Sequence, residues 1–177
     1  MTDLTLFHTA AVHRATFDAI AARIAPDAQL RHVLRPDWLD RAQDGMTADL
    51  VHEIHGAITP VGNALCTCST IGAVAAQAGA LRLDAPMMAR AASTGGPVLL
   101  VYCLDSTLAP SKALLTQAFA AQQIPVNIRD LPLTDLWALF RDGHPQAFAQ
   151  AIAKRVEAAC AQQPDISCVV LAQASMA

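Results

Sequence analysis

Two cysteines, Cys66 and Cys68, stand in the stretch "VGNALCTCSTIGAVAAQAG", residues 61–79, where an apolar run meets a helix-like run. In an extended strand, residues two apart share a face. The helix is expected to open near Ser69 or Thr70, which leaves Cys68 at the strand's carboxyl end, beside the unpaired N–H groups of a first helical turn. Those groups and the helix dipole stabilise an anion. A thiol placed there is expected to ionise more easily and to act as an acid/base or nucleophile. The same N–H groups could hold a substrate carboxylate. Cysteine is also a common small buried residue, and Cys66 reads as core.

Three further junctions carry polar groups in the same way. "LFHTAAVH" ends a strand at His8 and Thr9, and His13 one helical turn later reads as surface. "VYCLDSTLAPSKALL" places Ser106 and Thr107 between a strand and a helix, where hydroxyls can bind a carboxylate or simply cap the helix. "VVLAQASMA" places Gln173, Ala174 and Ser175 after the last strand. Together "HTA", "CST", "DST" and "QAS" are expected to line one mouth of a sheet, the usual place for a small anionic ligand in an open α/β fold.

Other chemistries lack a signature. The C-x-C spacing is not that of a zinc site, which needs a second matching pair. "HEIH" at His52 to His55 is one residue short of the zinc-protease pattern, so no metal is expected. No phosphate loop, dinucleotide-binding glycine motif or serine elbow is present. A net charge of −3 without a basic run argues against nucleic acid as a partner. The start "MTDLTLFHTA" lacks the pattern of a signal peptide, and no uncharged stretch reads as a membrane span. Five cysteines, an odd number, with no export signal point to reduced thiols in the cytoplasm. Hydrophobic residues at 54% and charged residues at 15% describe a folded chain with a sizeable core.

The elements that must position these groups follow from periodicity. Strands are expected at "LTLFHTA", "QLRHVL", "GNALCTC", "GGPVLLVYC", "IPVNIRDL" and "DISCVVLAQ". "GGPVLLVYC", continuous and apolar, suits a strand covered on both faces. Between them run helical segments. In "VHRATFDAIAARI" the stripe is Val12, Phe17, Ile20 and Ile24; in "ADLVHEIHGAI" it is Leu50, Val51, Ile54 and Ile58, with Thr47 as N-cap. "TIGAVAAQAG" should end at Gly79, and "SKALLTQAFAAQQ" should begin near Pro110. "LTDLWALFRDG" and "HPQAFAQAIAKRVEAACAQQ" complete the helices, and "RPDWLDRAQDGMT" reads as a loop. This alternation predicts an α/β protein with mainly parallel sheets. The loop signal "STGG" suggests a division into residues 1–90 and 91–177. The chain stops straight after its last strand, where a crossover would normally follow, so a further C-terminal segment is expected.

These segments resemble the aspartate/glutamate/hydantoin racemase superfamily. "ALCTCSTIGAVAA" is similar to the family's first cysteine motif, an apolar strand followed by Cys-Ser-Thr and a helix, matched by Cys68, Ser69 and Thr70. "VYCLDSTLAPSKALL" is similar to the opening of the family's second lobe, with Thr107 at a carboxylate-binding position, and "VVLAQASM" to the second cysteine motif. The resemblance implies two flavodoxin-like lobes with the active site between them. It also implies cofactor-independent racemisation, in which one cysteine removes a proton next to a carboxylate and a second returns one on the opposite face. Family chains usually continue past the second motif to return to the first lobe. This chain departs at Gln173, where the second cysteine would stand. An amide cannot exchange protons near neutral pH, so a two-base reaction lacks one base.

Cys103 and His8 are the conceivable substitutes, whereas Cys168 lies five residues too early. The expected function is thus an isomerase acting on a small amino acid or dicarboxylate. Cys68, Gln173 and His8 form its catalytic group, and Thr9, Ser69, Thr70, Ser106, Thr107, Ala174 and Ser175 bind the anion. The alternatives are a single-cysteine decarboxylase or isomerase of the same superfamily, and an inactive carboxylate-binding protein. A redox role for Cys68 has less support, because Cys66 is too near for easy disulfide geometry. A homodimer is the commonest assembly for such a chain.

Overall fold

The alternation of apolar runs and helix-periodic segments produces an α/β protein with two parallel sheets, one of four strands and one of three. A computed structural model describes residues 3–176. The chain divides into two compact units, Met1–Leu83 and Asp84–Ala177, each with its own sheet.

The first unit runs β1 (Asp3–His8), α1 (Val12–Ile24), β2 (Gln29–Leu34), α2 (Pro36–Gln43), α3 (Ala48–Ile58), β3 (Ala64–Cys66), α4 (Gly72–Gln77) and β4 (Leu81–Arg82). The strand order is β2-β1-β3-β4. Its main core gathers Phe7, Trp38, Leu50, Ile54, Ile58, Cys66 and Ile71. The α3 stripe is as its spacing predicts: Leu50, Ile54 and Ile58 are buried. The Thr47 hydroxyl accepts from the Leu50 N–H at 3.3 Å, which caps the helix.

Three expectations for this unit are corrected. The segment read as a loop contains α2. Pro36 stands at its start, where a missing N–H costs nothing, and Trp38 and Ala42, one turn apart, are the residues that it buries. The expected stripe of α1 is only half inside, since Val12 is 51% and Ile24 70% exposed. The buried residue of α1 is instead His13, which had read as surface.

The second unit runs α5 (Ala85–Ala92), β5 (Val98–Tyr102), α6 (Asp105–Ala121), β6 (Ile128–Pro132), α7 (Trp137–Arg141), α8 (Pro145–Gln162) and β7 (Cys168–Leu171). The order is β6-β5-β7. The central strand β5 is buried along its whole length. Val98, Leu100 and Tyr102 enter one core with Met88, Leu115 and Phe119, while Leu99, Val101 and Cys103 enter another with Phe148 and Ile152. This is the two-sided coverage that its unbroken apolar run predicts. Sequence reading missed α5. It also placed Pro110 at a helix start, whereas α6 begins at Asp105 and holds Pro110 inside. There the proline withholds one i→i−4 donation.

Candidate functional site

In each sheet, the chain leaves a central strand to build one neighbour and then returns to build the other side. The strand order therefore reverses between β1 and β3 in the first unit and between β5 and β7 in the second. The crevice outside the carboxyl ends of such a strand pair is where open α/β sheets bind ligands. In the first unit it is bordered by His8 and Thr9 after β1 and by residues 67–71 after β3. In the second it is bordered by residues 103–107 and 172–176. The four sequence segments are thus gathered in pairs, one pair per unit.

Around the first crevice, one face of the sheet carries a polar row. His8 is 1% exposed. Its Nδ1 lies 2.9 Å from the Thr67 Oγ1, and its Nε2 lies 2.8 Å from Nδ1 of His32 on β2. His32 Nε2 continues to Asp18 Oδ1 of α1 at 3.0 Å. The Thr67 hydroxyl also lies 3.1 Å from the Phe7 carbonyl, a second acceptor for its one hydrogen, and the Thr67 backbone N–H donates to the same oxygen, extending the ladder past β3. The His8 and His32 rings stack with centroids 5.1 Å apart, and Phe17 and His13 of α1 cover His8. Burial, reinforced by His32 and His13, pushes the His8 imidazole down to about 4. Burial lowers His13 as well. Both ring nitrogens of His8 are engaged within the protein, so this residue holds the loop rather than presenting itself to a ligand.

Cys68 is partly buried and packs against the main core of the unit. Its carbonyl accepts from the Cys66 thiol at 3.4 Å. The local geometry differs from expectation in one respect. Residues 69–71 form a turn, and α4 begins only at Gly72 and is six residues long. The helix that was to flank Cys68 is short and starts later. Ser69 is partly exposed, whereas Thr9 and Thr70 are buried. Arg82 pairs in register with Cys66 at the end of β4. Its guanidinium lies so close to Gly72 that a Cβ there would fall 2.9 Å from Nε. Sequence reading missed Thr67, His32, Asp18 and Arg82. The signal for His32 was its place on an alternating strand, which is informative only once the β1–β2 register is known.

In the second unit, Gln173 has a definite role: its Oε1 accepts the Cys103 backbone N–H at 2.6 Å. The Ala172 N–H bonds the Val101 carbonyl at 2.9 Å, so Gln173 extends the β5–β7 ladder by a side-chain bond. Cys103 is fully buried, and burial, with a smaller contribution from Asp135, pushes its thiol up to about 12. Burial also raises the Cys168 thiol. Neither is suited to be a thiolate near neutral pH. Ser106 and Thr107 lie in the first turn of α6 behind the N-cap residue Leu104, so neither is the cap. Thr107 is 1% exposed. Ala174 and Ser175 belong to a short 3₁₀ turn and are partly exposed.

Among the described residues, no group of three or more His, Cys, Asp or Glu side chains could hold a metal ion. No described helix is long and apolar enough to cross a membrane. No family model, curated protein or solved structure matches this chain.

Proposed function

We propose that this chain is a racemase-like, cofactor-independent isomerase of the aspartate/glutamate/hydantoin racemase superfamily, acting by proton transfer at a carbon next to a carboxylate. The observation that carries the reading is the position of Cys68. It is a partly buried cysteine in the loop after β3, at the strand-order reversal where such sheets bind ligands. Cys68 is the acid/base. Ser69 offers a hydroxyl beside it, and Ser106, Thr107 and Ser175 are the carboxylate-binding candidates of the second unit. Each unit is read as a flavodoxin-like lobe. The order β2-β1-β3-β4 follows the flavodoxin-like 2-1-3-4 pattern, and β6-β5-β7 follows its 2-1-3 beginning. The substrate class is a small amino acid or dicarboxylate.

Gln173 favours a second reading, a single-thiol decarboxylase or isomerase, or a protein that binds the carboxylate without turning it over. Its amide is committed to the Cys103 backbone, and Cys103 is walled in. The second crevice therefore offers no thiol to return a proton.

The test is hydrogen–deuterium exchange at the α-carbon. The whole chain is incubated in heavy water with a panel of amino acids and dicarboxylates, followed by proton NMR. Loss of an α-proton signal is expected with at least one substrate, abolished by Cys68→Ser and retained by Cys103→Ala. Silence across the panel, or exchange that survives Cys68→Ser, would overturn the isomerase reading. Carboxylates that raise the melting temperature equally in wild type and Cys68→Ser, without exchange or release of carbon dioxide, would leave the binding reading.

A further inference from the structure

The row Thr67–His8–His32–Asp18 lies on the sheet face covered by α1, and nothing in the proposed chemistry uses it. Its four groups make an unbroken hydrogen-bonded line of 2.9, 2.8 and 3.0 Å from the loop before Cys68 to a carboxylate that is 55% exposed. With Asp18 as the final acceptor, hydrogen counting gives one neutral and two singly protonated arrangements that satisfy every link. In the first, both rings are neutral. The Thr67 hydroxyl donates to His8 Nδ1, His8 Nε2–H donates to His32 Nδ1, and His32 Nε2–H donates to Asp18. In the second, the pair carries one added proton. His8 Nδ1–H donates to Thr67, whose own hydrogen turns to the Phe7 carbonyl, and His32 donates from both nitrogens. In the third, the added proton sits on His8, which donates from both nitrogens, to Thr67 and to His32 Nδ1, while His32 Nε2–H donates to Asp18. The 3.1 Å contact from the Thr67 hydroxyl to Phe7 is already in place for that turn.

A second added proton has no such arrangement. Nε2 of His8 and Nδ1 of His32 would both be donors, 2.8 Å apart, with no acceptor between them. The charged and titratable groups facing His8 are His32 of β2 and His13 and Asp18 of α1. From the β3 side the neutral Thr67 hydroxyl meets its Nδ1. Of these, only Asp18 favours added positive charge, and it reaches His8 through His32. Burial of His8 opposes added charge.

We propose that this row positions the loop that carries Cys68 and stores a single proton, so that a second proton opens the row and alters the reactivity of Cys68. The proposal rests on the reading of Cys68 as the reacting thiol for its importance to function, though not for its test. His8, His32 and Thr67 are positioning residues, since they act through the loop.

Two measurements on the full chain test it. In protein labelled with ¹⁵N at the imidazoles, long-range proton–nitrogen NMR reads each ring nitrogen as pH is lowered. His8 and His32 are expected to take up one proton in a single joint transition. Uptake of a second is expected only with loss of the Thr67 amide's protection from exchange. Independent titration of the two rings, or both rings doubly protonated inside an intact row, overturns the proposal. The second measurement is the rate of Cys68 modification by dithiodipyridine, resolved from the other cysteines by peptide mass. As pH is lowered the rate should fall along the line set by the loss of thiolate. In wild type and Thr67→Ser it should then rise above that line where the row opens. In Thr67→Val the upward departure is expected to be lost. Identical profiles in all three proteins would count against the proposal, and if Thr67→Val does not fold, the NMR titration of wild type still decides. Failure of the isomerase reading would show as absent α-carbon exchange and would leave both readouts unchanged.

Discussion

Gln173 carries the amide oxygen that satisfies the Cys103 N–H at the end of the buried central strand β5. A backbone donor stripped of its partner in such surroundings costs about 1–3 kcal/mol. Gln173→Ala should therefore lower stability by that amount, while Gln173→Glu, which keeps an acceptor oxygen, should lose less. Midpoints of urea unfolding measure both, and an Ala variant as stable as wild type would show that the bond contributes nothing. The sequence marked Gln173 as the residue that breaks the resemblance, but only the register of β5 with β7 reveals what it does instead. The same holds for His8. Its type and strand-end position suggested chemistry, whereas its two bonded ring nitrogens make it a holder of Thr67. A residue's reactive type is legible in a sequence. Its partners across neighbouring strands, 24 and 59 residues away, are not.

At the scale of elements, legibility followed the strength of the period. The helix α3 and the strand β5 were readable, because their apolar residues repeat over enough turns or run unbroken. The helix α2 was not, because eight residues opened by a proline and carrying four charged or amide side chains hold only two buried positions. Tertiary contacts supply what the pattern lacks. Trp38 stacks on Phe7 with centroids 6.3 Å apart, donates Nε1–H to Glu53 at 3.2 Å, and lies under the Arg35 guanidinium at 4.5 Å. Glu53 of α3 also bonds Arg35 and Arg41, and these partners pull its carboxyl down to about 2. The α2 segment is therefore held by one indole and one carboxylate reaching from α3. Trp38→Ala should cost about 3–5 kcal/mol and release α2 first. Hydrogen exchange of the α2 amides, measured against those of α3, checks this. Equal loss of protection in both helices would mean that α2 is not held through Trp38.

Over the whole molecule, the two units concentrate opposite kinds of titratable burial. In the first, His8 falls from its ordinary 6.5 to about 4 and His13 is also lowered. The unfolded chain then binds protons that the folded chain refuses. The stability due to keeping these rings neutral is fully present above pH 6.5 and is lost as pH falls from 6.5 through about 4. For His8 the loss is on the order of 3 kcal/mol. In the second unit, Tyr102, Cys103 and Cys168 are all raised by burial, Cys103 from 9.0 to about 12. There the unfolded chain releases protons first, so stability is intact below pH 9.0 and declines as pH climbs toward 12. For Cys103 that loss is on the order of 4 kcal/mol. Acid should thus loosen β1, β2 and β3 while β5, β6 and β7 stay protected, and alkali should do the reverse. Hydrogen exchange read by mass spectrometry, with labelling times corrected for intrinsic rate at pH 5, 7 and 10, resolves the two sheets. His8→Phe should remove most of the acid sensitivity of the first sheet and leave the alkaline sensitivity of the second untouched. If both sheets lose protection together at pH 5, buried histidine does not set the acid limit of this fold, and the carboxylates paired with arginine on the surface become the groups to examine.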